Sequence, residues 1–241
     1  MCTVSYIPKT VDGSFVLTSN RDEDSRRPTI APMIYDFGTV QLAFPKDEVS
    51  GGSWIAMSNL GKINCLLNGG IGTHTKQEYH TISRGTILID LTKSQLSTKN
   101  FFQNYHLHNV EPFTIVSIQH QEGKVVSLTE VIWDGNKKHL RNLEVNHPHI
   151  WSAAQLYSEE QKQLRQKWFE NFIKKNISNL TSVKIAEFHF GNHSEDVGVN
   201  VIMERGDLLK TVSITQIISQ NENLKMSYSD LLRGGRVQVE L

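Results

Sequence analysis

The sequence predicts an α+β layered domain. Short β-friendly runs broken by turn signals fill the first third of the chain and return near its end, with helical periodicities between them. The composition fits: 241 residues, 38% apolar and 21% charged, with mean hydropathy -0.35, describe a globule that can bury its own core. No linker-like stretch divides the chain, so residues 1–241 read as one domain.

A β-friendly run over residues 2–6, the turn signal Asp12-Gly13 and an apolar run over 14–19 predict an antiparallel hairpin, which sets residues 18–22 beside residues 2–4. Strands are expected at 39–44, 53–58 and 62–67, with turns at Gly51-Gly52 and Asn59-Leu60-Gly61. Residues 83–102 read as one helix, because Ile87, Leu88, Leu91 and Leu96 share a face. Strands at 113–119 and 124–132 follow, then a turn at Asp134-Gly135-Asn136. Ser158 and Gln161 make a capping-box pattern, opening a helix whose buried face should hold Leu164, Trp168, Phe169, Phe172 and Ile173. Strands at 198–203, 210–217 and 224–228 complete the expected order.

Charge and targeting signals narrow the partners. Lys+Arg and Asp+Glu both number 25, which removes the electrostatic drive of a general nucleic-acid binder. No apolar run is long enough for a transmembrane helix, and the first residues lack the basic-then-apolar order of a secretory signal. Cys2 and Cys65 form no disulfide framework, so a cytoplasmic location is expected.

Three places can carry chemistry. Removal of Met1 is expected before a small side chain, and Cys2 would then hold a thiol and a free α-amine on one residue. The amine (pKa about 7.7–8.0) can take the proton of the thiol (about 8.5), joining nucleophile and base. The alternative is a small buried residue in an edge strand. Asn20-Arg21-Asp22-Glu23 comes second. Strand alternation sends Asn20 and Asp22 to one face and Arg21 and Glu23 to the other. Asp22 could orient the α-amine, and Arg21 could pair with a carboxylate or a substrate anion; a solvated turn is the rival reading. Third, Asn68 ends an apolar strand before Gly69-Gly70, where its amide could donate to a developing oxyanion or simply serve the turn. Cys65, inside the apolar strand, reads as inert core.

Cys2, Asn20-Arg21-Asp22-Glu23, Arg27-Pro28, Gly51-Gly52-Ser53-Trp54, Ser58-Asn59-Leu60-Gly61-Lys62, Asn68 and Ser83-Arg84-Gly85 occur in that order. The set resembles the NRDE (transport and Golgi organisation protein 2-like) family, most strongly over residues 1–90. That family is similar to N-terminal nucleophile (Ntn) hydrolases that begin with cysteine, such as choloylglycine hydrolase and penicillin acylase. The resemblance implies an αββα four-layer sandwich of two antiparallel sheets. It also implies a hydrolase or acyltransferase acting on an amide or thioester, with Cys2 as nucleophile, Asp22 on its amine and Asn68 in the oxyanion hole. Asn20, Arg21, Glu23 and Trp54 are expected to bind or orient the substrate.

The chain departs from the pattern at two points. Trp151-Ser152-Ala153 stands where the family usually carries Leu-Ser-Asn, and Lys210 is the nearest counterpart of a late arginine of the hydrolases. The family's association with haem trafficking and lipid homeostasis implies the alternative: a non-catalytic carrier of haem or an acyl-lipid on the same scaffold. No metal is expected at the His106/His108 and His147/His149 pairs, where no Cys or carboxylate completes a ligand set. The Asn-x-Ser/Thr sequons at Asn176, Asn179 and Asn192 carry no meaning without export.

Overall fold

A computed structural model describes residues 3–220 and 223–241. Six strands come first: β1 (Thr3–Ile7), β2 (Val16–Asp24), β3 (Thr29–Phe37), β4 (Val40–Asp47), β5 (Ile55–Ser58) and β6 (Lys62–Asn68). Helices α1 (Arg84–Lys93) and α2 (Thr98–Asn104) follow, then β7 (Phe113–Gln121), β8 (Lys124–Trp133), β9 (Lys138–Asn142) and β10 (His149–Ser152). After α3 (Glu159–Asn176) and α4 (Ser182–Phe190) come β11 (Glu204–Arg205), β12 (Leu209–Gln220), β13 (Asn223–Asp230) and β14 (Arg236–Glu240).

The strands form two antiparallel sheets. One runs β10-β1-β2-β12-β13-β14, with β11 pairing β12; the other runs β3-β4-β5-β6-β7-β8-β9. Three apolar clusters mark three interlayer spaces, as the αββα sandwich requires. Val4, Leu17, Met57, Cys65 and Met226 pack between the sheets. Leu42, Ile87, Leu91, Phe102 and Phe113 join the second sheet to α1 and α2. Val16, Phe169, Ile185 and Phe188 join the first sheet to α3 and α4. Among the described residues no helix is long and apolar enough to cross a membrane.

The expected hairpin forms, with Thr3 opposite Asn20 and Val4 opposite Ser19. Three expectations need correction. The helix over 83–102 is two helices, because Ser94 ends the first and Ser97 caps the second, accepting from the Asn100 N–H. The Lys62 ammonium fills the break, donating to the Ser94 and Leu96 carbonyls that a continuous helix would have bonded itself. In α3, Leu164 is exposed and Arg165 is fully buried. Residues 198–203 form a loop rather than a strand. The last two corrections share a cause. The loop carbonyls have no ladder partner, so side chains satisfy them: Arg165 donates to the Val199 and Asn200 carbonyls, and Asn20 to that of Val201. Turning Arg165 inward to do so turns Leu164 out.

On the buried face of α4, His189 is fully buried and burial pushes its imidazole pKa down from 6.5 to about 3. The folded protein therefore excludes a proton that the unfolded chain accepts below about 6.5. The stability this contributes is complete above that pH and is lost as the pH falls toward about 3. Urea midpoints measured from neutral to acidic pH should fall in this window, and His189→Gln should be less stable at neutral pH but follow a flatter pH profile.

Candidate active site

Strand β2 divides the Asn20–Glu23 tetrapeptide between two layers. Asn20 and Asp22 face α3 and α4. The Asn20 amide donates to the His189 and Val201 carbonyls at 3.1 and 2.9 Å, and its oxygen lies 2.5 Å from His189 Nδ1. With the amide hydrogens spent, that oxygen must accept, so Nδ1 carries the proton and Nε2 accepts from Ser5 Oγ at 2.6 Å. Asp22 is buried, and its two oxygens accept from Tyr157 Oη at 2.8 Å and Thr211 Oγ1 at 2.5 Å.

Arg21 and Glu23 face the other sheet. Arg21, 2% exposed, donates to Thr29 Oγ1 at 2.5 Å and Asp47 Oδ2 at 2.6 Å, and its guanidinium lies 4.2 Å from the centre of the Trp54 ring. Arg27 also grips Asp47, at 2.6 and 3.1 Å. Burial pushes the Asp47 carboxyl upward, but Arg27, the Ser50 N–H and Arg21 outweigh it and hold the group below the usual carboxylate range. Glu23 Oε2 sits 4.0 Å from Arg21.

These side chains form one wall of a cavity of about 570 Å³. Two glycine motifs shape the opposite wall. A Cβ on Gly52 would lie 2.5 Å from the Gly85 carbonyl carbon, so only glycine lets the two backbones touch. The contact brings Ser53 and Trp54 against the N-terminus of α1, where Ser83 caps the helix and accepts from the Gly85 N–H. Arg84 reaches Glu111 at 3.5 Å, and His74 meets the same carboxylate at 3.2 Å. Burial pushes Glu111 up, but Arg84, His74 and Lys76 together hold it below its ordinary value.

Asn68 also lines the cavity. Its backbone carbonyl accepts from Gln155 N–H at 3.2 Å, while its side-chain amide has no hydrogen-bond partner among the described residues. The turn rests on Gly69 rather than on Asn68, which ends β6: Gly69 has φ +89°, and a Cβ there would sit 2.7 Å from the Gln155 nitrogen. The turn docks on the loop after β10 and leaves the Asn68 amide uncommitted.

Of the residues singled out from the sequence, the cavity gathers Arg21, Glu23, Trp54 and Asn68. Asn20 and Asp22 lie behind it, in the layer toward the helices. Cys2 lies outside the described residues. Cys65 is fully buried, and burial raises its thiol pKa to about 12. Ala153 is buried, and its carbonyl accepts from the Leu156 and Tyr157 N–H groups, the turn that presents Tyr157. Lys210 is not among the cavity's lining residues, and its ammonium lies 3.5 Å from Glu204. Among the described residues no group of three His, Cys, Asp or Glu side chains could hold a metal ion.

Sequence reasoning passed over Asp47 and Glu111. Each is an acid at the edge of an apolar strand, a pattern that also marks any solvated turn. Tyr157, the donor to Asp22, reads in sequence as one more aromatic.

The family model described as Transport and Golgi organisation 2 matches residues 1–223. No curated relative matches the sequence. Among solved structures, the chain is similar to the Caenorhabditis elegans ortholog of N-acylethanolamine-hydrolyzing acid amidase, with TM-score 0.61 and 14% identity over 90% of this chain and 92% of that one. It is similar to a variant of conjugated bile acid hydrolase from Clostridium perfringens, with TM-score 0.61 and 10% identity over 99% and 92%. Penicillin V acylase from Agrobacterium tumefaciens aligns with TM-score 0.60 and 10% identity over 100% and 86%. The shared architecture is the Ntn-hydrolase fold.

Two outcomes are expected. Arg21→Leu leaves the buried Asp47 with one cation instead of two and should cost about 3–5 kcal/mol in urea unfolding. A thiol reagent should leave Cys65 unmodified until the protein is denatured. Native-state labelling, mapped by peptide mass, should therefore report on Cys2 alone.

Proposed function

The chain belongs to the Transport and Golgi organisation 2 family, and on that footing we propose that it is an Ntn-type cysteine hydrolase or acyltransferase acting on an amide or thioester bond. One observation carries the reading. Asp22 is a buried carboxylate on β2 that accepts from Tyr157 and Thr211, and Asn68 is a strand-end amide that lines the cavity with no partner among the described residues. Thr3, paired with Asn20, is the residue next to Cys2 in sequence.

The proposed mechanism divides work between the two faces of β2. A backbone amine can be addressed from the layer holding Asp22 while its side chain serves the opposite one. Asp22, already held by Tyr157 and Thr211, is the carboxylate that orients the α-amine. Once Met1 is removed, that amine takes the Cys2 thiol proton as sulfur attacks the substrate carbonyl. The tetrahedral oxyanion accepts from the Asn68 amide. Collapse expels the leaving amine or thiolate, which regains the proton from the α-ammonium. Water, or an acyl acceptor, then attacks the acyl-enzyme by the same route and frees Cys2.

A second reading, a carrier of haem or an acyl-lipid, draws on Ala153 and Lys210, which leave the scaffold without two groups that the hydrolases use. The cavity offers it little support. Seven charged side chains line it, against the apolar faces of Val49, Trp54, Leu66 and Ile82. A porphyrin face or an alkyl chain would desolvate those charges without pairing them.

Intact mass spectrometry should find Met1 removed; retained Met1 defeats the catalytic reading. On a panel of N-acyl 4-nitroanilides and acyl thioesters, turnover should vanish in Cys2→Ala, and Asn68→Ala should slow acylation by about 10²–10³ while the fold survives. Saturable binding of hemin or an acyl-CoA without turnover, unchanged in Cys2→Ala, would instead favour the carrier.

A further inference from the structure

Two of the groups assigned to the reaction, Asp22 on β2 and Asn68 at the end of β6, belong to different sheets. One short turn touches both. After β10 the Ala153 carbonyl accepts from the Leu156 and Tyr157 N–H groups, each at 3.1 Å, and folds residues 153–157 back on themselves. Within this turn the Gln155 N–H donates to the Asn68 carbonyl at 3.2 Å, and Tyr157 Oη donates to Asp22 Oδ2 at 2.8 Å. The Gln155 side chain also clamps the loop after Asn68, accepting from the His74 N–H at 3.0 Å and donating to the His74 carbonyl at 2.9 Å.

Tyr157 is itself held. It is 2% exposed, and the guanidiniums of Arg165 and Arg205 lie 3.6 and 4.9 Å from the centre of its ring. Both cations are fixed by other bonds. Arg165, on α3, donates to Thr3 Oγ1 and to the Val199 and Asn200 carbonyls. Arg205, on β11, donates to the Gly198 carbonyl at 2.7 Å and to the Leu156 carbonyl of the turn at 2.8 Å. A cation is attracted to an aromatic face, and a hydroxyl donating to an ionised carboxylate makes a charge-assisted bond. Ring and hydroxyl are therefore fixed by separate contacts.

We propose that Tyr157 is a positioning residue for the reaction: its hydroxyl holds the Asp22 carboxylate in the orientation that serves the Cys2 α-amine, at a place tied to Asn68 by the turn. The inference deepens the function proposed above and rests on Asp22 and Cys2 having the roles given there. Thr211, opposite Asp22 on β12, bonds the other carboxylate oxygen at 2.5 Å. A carboxylate held by one donor can still turn about that bond, and the second donor removes the freedom. Arg165 extends the same frame, since the guanidinium that meets the Tyr157 ring also bonds Thr3, the residue after Cys2.

The test needs no substrate. Iodoacetamide alkylates the thiolate, so its rate at Cys2 reports how readily that thiol gives up its proton. The rate is read by peptide mass in native protein, where burial protects Cys65. Tyr157→Phe keeps the ring beside both guanidiniums and removes only the hydroxyl. It should slow Cys2 alkylation several-fold in otherwise wild-type protein and add no slowing in Asp22→Asn, because Tyr157 acts through Asp22. A purely structural tyrosine would slow both backgrounds equally or neither, and either result overturns the proposal. The two ways to fail are distinct. Asp22→Asn alkylated at the wild-type rate defeats the catalytic role of Asp22 and this inference with it. A slow Asp22→Asn beside a Tyr157→Phe at the wild-type rate defeats the inference alone. Urea midpoints measured alongside confirm that each variant is folded where the rates are read.

Discussion

Arg21 and Asp47 belong to different sheets, and the 2.6 Å bond between them holds the sandwich together where the cavity opens. A guanidinium taken out of water is tolerated only if its charge and its hydrogens are met. Here Asp47 and Thr29 take hydrogens and the Trp54 ring takes one face. Asp47 is met in turn by Arg27 and by the Val49 and Ser50 N–H groups. The cluster fixes three things at once: the spacing of the sheets, the position of Trp54, and a charged wall that water and polar ligands can wet but hydrocarbon cannot.

Much of this was legible from sequence where geometry leaves no choice. A strand has period two, so the split of Asn20 and Asp22 from Arg21 and Glu23 followed once the hairpin was recognised. The central strands and the capping box at Ser158 were legible for the same reason. Of the strands that escaped, β3, β9, β10 and β14 are the four edges of the two sheets, and β11 is a two-residue strand paired with β12. Edge strands meet solvent along one side and carry mixed, half-exposed residues, so their alternation is weak. The orientation of α3 was hidden for another reason. Periodicity ranks arginine as surface, yet the loop after α4 needed donors, and Arg165 was the side chain that could supply them.

The glycine motifs show how a site can be written in residues that take no part in chemistry. Gly52 and Gly85 do nothing except allow two backbones to touch, and that contact brings a helix N-terminus against Trp54. Read as turn signals, they place each segment correctly but say nothing of the partner. Their meaning is a distance between two elements, which a single sequence does not contain. Asp47 and Glu111 were opaque in the same way, since an acid at the end of a strand becomes informative only when the cations it faces are known.

Ser5, His189 and Asn20 make the same point from the other side. Their hydrogen bonds of 2.6 and 2.5 Å reproduce the connectivity of a nucleophile, a base and an orienting amide. Burial decides against that role, because all three are 0% exposed and a substrate carbonyl has no route to the Ser5 hydroxyl. The imidazole, held neutral by its surroundings, is also a poor base near neutral pH. What the three residues do is bind α4 to the first two strands and fix Asn20, and so the register that puts Asp22 opposite Thr211 and Arg21 into the cavity. Connectivity alone is therefore a weak sign of catalysis in this fold. The side chains suited to chemistry are those with an uncommitted polar group lining a cavity, and Asn68 meets that condition among the described residues.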